Sequence, residues 1–219
     1  MQSVGPILLA LGAQREPYGF TLIHFRAMYG PVIQGKLVRL RPPKPEDAPV
    51  MLTWFENMEV TRFLLLRHPP SIDMEKEWLD RTARNPDEVV WVIEHKGAVV
   101  GTTALHLIDW RNGSAITGTV IGDRSLWGKG LGREVMQLRA GYAFTQLPLR
   151  KLKSAYIDGN VASARAQAAA GYREIGRHHA DMFVDGKWRD HVMTEVLRED
   201  WEMAHRARAG AKRRRTRSV

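Results

Sequence analysis

Trp127-Gly128-Lys129-Gly130-Leu131-Gly132-Arg133 is the stretch on which the reading of this chain turns. Glycine at three alternate positions lets the backbone pass very close to a ligand. Behind it, Leu131, Val135, Leu138 and Tyr142 fall at i, i+4, i+7 and i+11, one face of a helix. The glycine turn is therefore also a helix N-terminus, where N–H groups without intrahelical partners and the helix dipole favour a phosphate or pyrophosphate. Lys129 and Arg133 add positive charge beside it. The stretch reads as an anion cradle.

What precedes the turn narrows the anion. A Walker loop needs four residues between its glycine and a Gly-Lys-Ser/Thr ending, and the chain has none. The dinucleotide fingerprint would need glycine where Arg133 stands, and it should open a parallel β-α-β unit. Instead, 98–108 and 114–121 are strand-like runs joined by Asp109-Trp110-Arg111-Asn112-Gly113, and Asn-Gly between apolar runs signals a hairpin. A cradle hanging from an antiparallel hairpin argues against a nucleoside triphosphate or NAD site.

The order hairpin, W-G-K-G-L-G, helix resembles the acyl-CoA loop of the GNAT N-acyltransferases, with Trp127 in the place of a glutamine or arginine. Asn160-Val161-Ala162-Ser163 is similar to the N-x-x-S of the branch that contains the ribosomal-protein N-terminal acetyltransferases. Gly171-Tyr172-Arg173-Glu174-Ile175-Gly176 resembles its G-F-x-x-x-G, and 185–190 a hairpin-and-aspartate element. Leu197 to Trp201 resembles the closing strand, and Leu37 to Pro45 the opening strand with its R-P-x-x-x-x-D turn. The likeness spans about residues 35 to 203. It implies a single α/β (α+β) domain, a mostly antiparallel central sheet flanked by helices, with a splayed acyl-CoA cleft.

With 219 residues the chain has room for one sizeable core. It has no cysteine, which excludes disulfides and thiolate metal sites and suits a reducing compartment, so a cytoplasmic location is expected. Seven of the nine net positive charges lie beyond Glu202, so the basicity belongs to a tail. The expected division is 1–34 as an extension, with Met28 an alternative start, 35–203 as the domain, and 204–219 as a disordered basic tail. Such a run is usually a solvated segment, and it could also dock on ribosomal RNA through phosphates. No apolar run approaches the roughly 20 residues of a membrane span. Oligomeric state is left open, a homodimer included.

Between these landmarks, residues 36–41 read as a half-buried strand, 47–57 as a helix, and 59–66 as helix or irregular structure. Ser71 is an N-cap for a helix over 72–84. Strands are expected at 89–94, 152–157, 172–176, 180–184 and 192–197, and a small-residue helix over 161–170 stopped by Gly171.

The resemblance implies acetyl-CoA as co-substrate and no metal. It puts the pyrophosphate on the N–H groups of Gly128, Lys129, Gly130, Leu131, Gly132 and Arg133, and the pantetheine arm along the strand ending Val120-Ile121, with Trp127 and Asn160 in the same set. The acceptor would be an amine: a protein N-terminus, a polyamine or an aminoglycoside. Direct attack needs no protein nucleophile, only proximity, an N–H for the oxyanion and routes for protons. The tyrosine that many members place seven residues after the helix-opening asparagine is Gln167 here, so Ser163 is the candidate donor to the leaving thiolate. Positions where some members carry a base glutamate hold Ala155 and Met182. Asp109, His106, Asp123, His178 and Asp181 remain base candidates by type, and a chain of waters would serve equally. His178 and His179 are adjacent, hence on opposite strand faces and poor joint metal ligands. Asn160 has a plain alternative role as a helix cap. A different class of reading is a non-catalytic acyl-CoA sensor or RNA-associated protein, and turnover separates the two.

Overall fold

The computed structural model describes residues 14–15, 21–22, 29–66 and 68–216, with side chains from 29 to 66 and 68 to 207. The expectation of an extension over 1–27 and a start at Met28 lies outside the described residues, except that β1 (Gln14–Arg15) and β2 (Thr21–Leu22) pair as a small ribbon.

The other strands form one eight-stranded sheet. They are β3 (Ile33–Gln34), β4 (Arg39–Arg41), β5 (Val89–His95), β6 (Ala98–Asp109), β7 (Ser114–Ile121), β8 (Lys151–Ile157), β9 (Arg173–Val184) and β10 (Lys187–Leu197), in the order β3-β4-β5-β6-β7-β8-β10-β9. Every neighbouring pair is antiparallel except β7 and β8. These two run parallel and are registered over three residues only, Ser114–Ile116 against Lys151–Lys153. Beyond that point β7 and β8 part, and a wedge opens between them. The mostly antiparallel sheet with a splay is the architecture expected from the sequence.

The helices are α1 (Ala48–Phe55), α2 (Met58–Thr61), α3 (Ile72–Thr82), α4 (Leu131–Gln146), α5 (Val161–Ala170) and α6 (Arg198–Thr216). The face of α4 read from its spacing is the buried one. Leu131, Val135, Met136, Ala140, Ala143 and Phe144 join Trp91, Ile93, Leu105, Leu152 and Val196 in the main core, with Leu138 and Tyr142 packed at its margin. Full burial of each large apolar side chain stabilises by about 1.5–3 kcal/mol. On the other sheet face, Met51 and Trp54 of α1 form a second cluster with Val120. Neighbouring strand residues point to opposite faces, so Ile121 packs on the main core while Val120 packs on α1.

Several expectations change. Residues ahead of 35 also pack on the sheet: Gly30 lies so close to Trp91 that a Cβ there would fall 1.8 Å from the ring, and the indole N–H donates to the Pro31 carbonyl at 2.9 Å. Only Arg39–Arg41 of the 36–41 segment is strand, because the N–H groups of Lys36, Leu37 and Val38 are taken by a carboxylate of α4 instead of a ladder. The two short strands expected over 172–184 are one, β9, carried across a bulge where Ala180, at φ 50°, donates its N–H to Asp190. Leu197 to Trp201 is not a closing strand. The ladder ends at Leu197, Arg198 donates its side-chain N–H groups to the Leu147 and Leu149 carbonyls, and Glu199 and Asp200 open α6. That helix continues to Thr216 through the basic run expected to be disordered, a stretch rich in alanine, arginine and lysine, which are strong helix formers. Among the described residues no helix is long and apolar enough to cross a membrane.

The R-P-x-x-x-x-D turn is an ion-paired clamp. Arg41 donates to both oxygens of Asp47 at 2.7 Å and to Glu94 at 2.6 Å, and the Lys44 N–H adds a further bond to Asp47. Burial alone would raise the Asp47 carboxyl, but the Arg41 guanidinium and the Lys44 N–H hold it below the ordinary carboxylate range. A depressed carboxylate contributes stability above its unfolded-state value, and that contribution disappears as pH falls through the native-state value. Asp47→Asn is expected to destabilise the domain by about 3 kcal/mol at pH 7, the scale of breaking a buried pair. In urea titrations the gap between wild type and variant should close as pH falls below about 4. A pH-independent gap would assign the effect to packing.

Candidate active site

The cradle sits at the open end of the wedge. Gly128 and Gly130 have φ of 75° and 86°, a region L side chains avoid, so the turn requires glycine at both. Nothing lies within 4 Å of where a Cβ at Gly128 would stand, and a Cβ at Gly130 would meet only Leu37, at 3.8 Å. Gly130 is the N-cap of α4 and supplies no side-chain acceptor, whereas Ser71 caps α3 and Asn160 caps α5. The first turn of α4 therefore has no side-chain cap, and open space lies beside the two glycines that lead into it, with Lys129 and Arg133 exposed nearby. That is what an anion cradle requires. The third glycine is not explained by space: a Cβ at Gly132 would meet Ala166 at an ordinary 3.9 Å.

Trp127 braces the loop. Its indole N–H donates to the Ile121 carbonyl at 2.8 Å, and Arg124 lies over its ring. The loop is thereby tied to the end of β7, and that carbonyl is already occupied. A second tie is invisible in local sequence. Glu134, in the first turn of α4, accepts the N–H groups of Lys36, Leu37 and Val38 at 2.7–2.9 Å. No spacing rule could find partners almost a hundred residues upstream.

On the far side of the wedge, the Asn160 side-chain oxygen accepts the Ser163 N–H at 3.1 Å, so the cap role is real. Gln167 is buried and fully engaged. Its Nε2 donates to the Ala155 carbonyl and to Ser163 Oγ, both at 3.1 Å, and its Oε1 accepts from Thr194. Ser163 Oγ is thus held as an acceptor from Gln167, with its own hydrogen free to donate.

The base candidates divide by position. Asp109 ends β6 opposite Ser114, Asp123 follows the far end of β7, and both are used in turns: Asp109 accepts from the Asn112 backbone and side chain, and Asp123 from the Ser125 N–H. Asp181 lies 3.5 Å from His191, and His178 stands across the ladder from His191. His106 is placed differently. Its Nδ1 meets Glu88 at 3.2 Å, and its Nε2 lies 3.5 Å from where a Cβ on Gly118 would stand, directly over the strand segment at which β7 leaves β8. Segment 58–66 reaches both banks of the wedge, through Glu59 to Arg124 and Arg62 to Asp185. Among the described residues no cluster of three or more histidine, aspartate or glutamate side chains could hold a metal ion.

Residues 38–173 match the model of the acetyltransferase (GNAT) domain. The chain belongs to the GNAT acetyltransferases. It is 23% identical over 167 residues to the uncharacterized N-acetyltransferase p20 of Bacillus licheniformis, covering 74% of this chain and 93% of that one. It is 25% identical over 170 residues to the putative ribosomal N-acetyltransferase YdaF of Bacillus subtilis, covering 75% and 92%. The fold of the spermidine N-acetyltransferase of Vibrio cholerae, solved with CoA and spermine, superposes with a TM-score of 0.71 at 20% identity, over 76% of this chain and 99% of that one.

Proposed function

We propose that the chain transfers an acetyl group from acetyl-CoA to a primary amine, with a protein N-terminus or a polyamine as the acceptor class. The observation that carries this is the open glycine cradle at the uncapped start of α4, set at the mouth of the β7–β8 wedge. The pyrophosphate lies on the N–H groups of residues 128–133, and the pantetheine arm enters along Val120 and Ile121. Asn160, its side-chain oxygen spent on the cap, offers its amide N–H groups. The thioester carbonyl is held near Gly118. A neutral amine attacks the carbonyl carbon, and His106, oriented by Glu88, takes the proton the nitrogen loses. As the C–S bond breaks, the thiolate takes a proton from Ser163, which solvent restores. YdaF, named a putative ribosomal N-acetyltransferase, and the spermine bound in the spermidine enzyme support the two acceptor classes. The reading includes a cytoplasmic location, supported by a chain without cysteine, and ribosome contact through the basic end of α6.

An acceptor screen over N-terminal peptides, polyamines and aminoglycosides, read as released CoA thiol, tests this directly. Release with none of them, by a protein that binds acetyl-CoA, would favour the sensor reading instead. Gly130→Asp introduces a negative charge and a strained φ at the cradle, and the CoA dissociation constant should rise at least about tenfold, roughly 1.4 kcal/mol. Unchanged binding by calorimetry in a folded variant would remove the cradle assignment.

Proton handling has its own test. Ser163→Ala and His106→Ala should each lower kcat about 10²-fold, the low end for a positioned proton-transfer group, with CoA affinity little changed. If Ser163 serves only the first turn of α5, its replacement should leave kcat intact and cost at most about 1 kcal/mol of stability.

A further inference from the structure

Arg139 lies in the middle of α4, on the face that otherwise buries Val135, Met136, Ala140 and Ala143, and it is 1% exposed. Its Nη1 lies 2.5 Å from the Gly118 carbonyl oxygen, 2.6 Å from Thr103 Oγ1 and 2.7 Å from Thr119 Oγ1. Nη2 reaches the Tyr172 hydroxyl at 3.3 Å, and Nε has no hydrogen-bond partner. Among the described residues no carboxylate stands within ion-pair distance of it. A guanidinium buried against neutral dipoles alone is an expensive way to fill a core. An apolar side chain would complete the same helix face.

Its neighbours share one feature: they surround the Gly118–Thr119 peptide, where β7 has just left β8. The Gly122 N–H donates to the Val100 carbonyl, so by the alternation of an antiparallel ladder the even-numbered N–H groups of this strand face β6. The Thr119 N–H then faces the wedge. Arg139 grips the carbonyl of that same peptide unit from the α4 side, while His106 overlies Gly118 from the other side. Donation to a peptide carbonyl polarises the amide and strengthens its N–H as a donor, and burial leaves the charge unscreened.

We propose that Arg139 is a positioning residue for acyl transfer, acting through the Gly118–Thr119 peptide to stabilise negative charge on the thioester carbonyl oxygen. The inference rests on the acetyl-transfer reading above. During attack the new C–N bond forms, the C=O electron pair moves onto oxygen, and collapse expels the thiolate. Arg139 exchanges no proton and supplies a fixed field aimed at that oxygen. Tyr172 stands where the resembling branch has phenylalanine, and its hydroxyl is what holds Nη2.

Infrared difference spectra of the protein with acetyl-CoA carrying ¹³C at the thioester carbonyl provide the test and need no acceptor. In wild type the carbonyl stretch should move to lower wavenumber on binding. In the neutral variants Arg139→Met and Arg139→Gln that shift should fall by at least half. Their kcat with an amine from the screen should drop about tenfold or more, with the CoA dissociation constant within threefold and Tm held or raised. A structural residue would instead lower Tm and leave the carbonyl shift alone. An undiminished shift, unchanged kcat, or loss of fold in both variants overturns the proposal. Wild type that fails to bind acetyl-CoA overturns the acetyl-transfer reading itself.

Discussion

The parting of β7 from β8 after three paired residues is the constraint on which the rest of this structure depends. Parallel strands in a closed sheet would satisfy each other's backbone groups and leave no room between them. Here the ladder stops at Ile116 and Lys153, and side chains take over: Thr117 Oγ1 donates to the Lys153 carbonyl and Ser154 Oγ to that of Thr117. In the proposed function, the exposed backbone beyond this point gives the wedge its use. An extended ligand arm can supply the hydrogen bonds the missing strand would have made.

Both walls of the wedge are held by long-range polar contacts. The cradle side depends on Glu134, which ties α4 to the turn before β4, and on Trp127, which ties the loop to β7. The far side depends on Gln167, whose amide links α5 to β8 and β10 at once. Gln167 occupies the position of the superfamily's tyrosine. Because it is buried and engaged at both ends of its amide, it is an anchor for Ser163, and a larger ring would have to displace packed neighbours. Under the proposed function the departure from the common pattern leaves Ser163, one helical turn earlier, as the donor, and the architecture around it is intact.

Polar groups are concentrated on the main-core side of the wedge. Arg139, Thr103, Thr117, Thr119 and Tyr172 form a connected set among residues that are otherwise aliphatic or aromatic. A group left unpaired in such a set carries its full desolvation penalty, but the neighbours of Arg139 also pair with one another, Thr103 with Thr119 and the Gly118 carbonyl, Thr117 with Tyr172. The clamp of Arg41, Asp47 and Glu94 shows the contrasting case, a charge buried with its counter-charges.

The sequence by itself determined whatever is local. The period of Leu131, Val135, Leu138 and Tyr142 fixed the buried face of α4, Asn-Gly fixed the β6–β7 hairpin, Ser71 and Asn160 announced helix starts, and the glycine run announced the turn that opens α4. Each is a signal carried within a few residues by backbone geometry or helical period. Local pattern also misled where a tertiary contact outweighed it. The alternation over 36–41 reads as strand until Glu134 captures three of its N–H groups, and the basic run after Glu202 reads as loose until it extends a helix seated on Phe144 through Trp201. Only the folded chain could bring His106 over Gly118 or place Arg139 behind the same peptide. Those residues come from β6, β7 and α4, and nothing in their spacing records that they meet, because side-chain chemistry across a sheet is set by register and packing rather than by sequence distance.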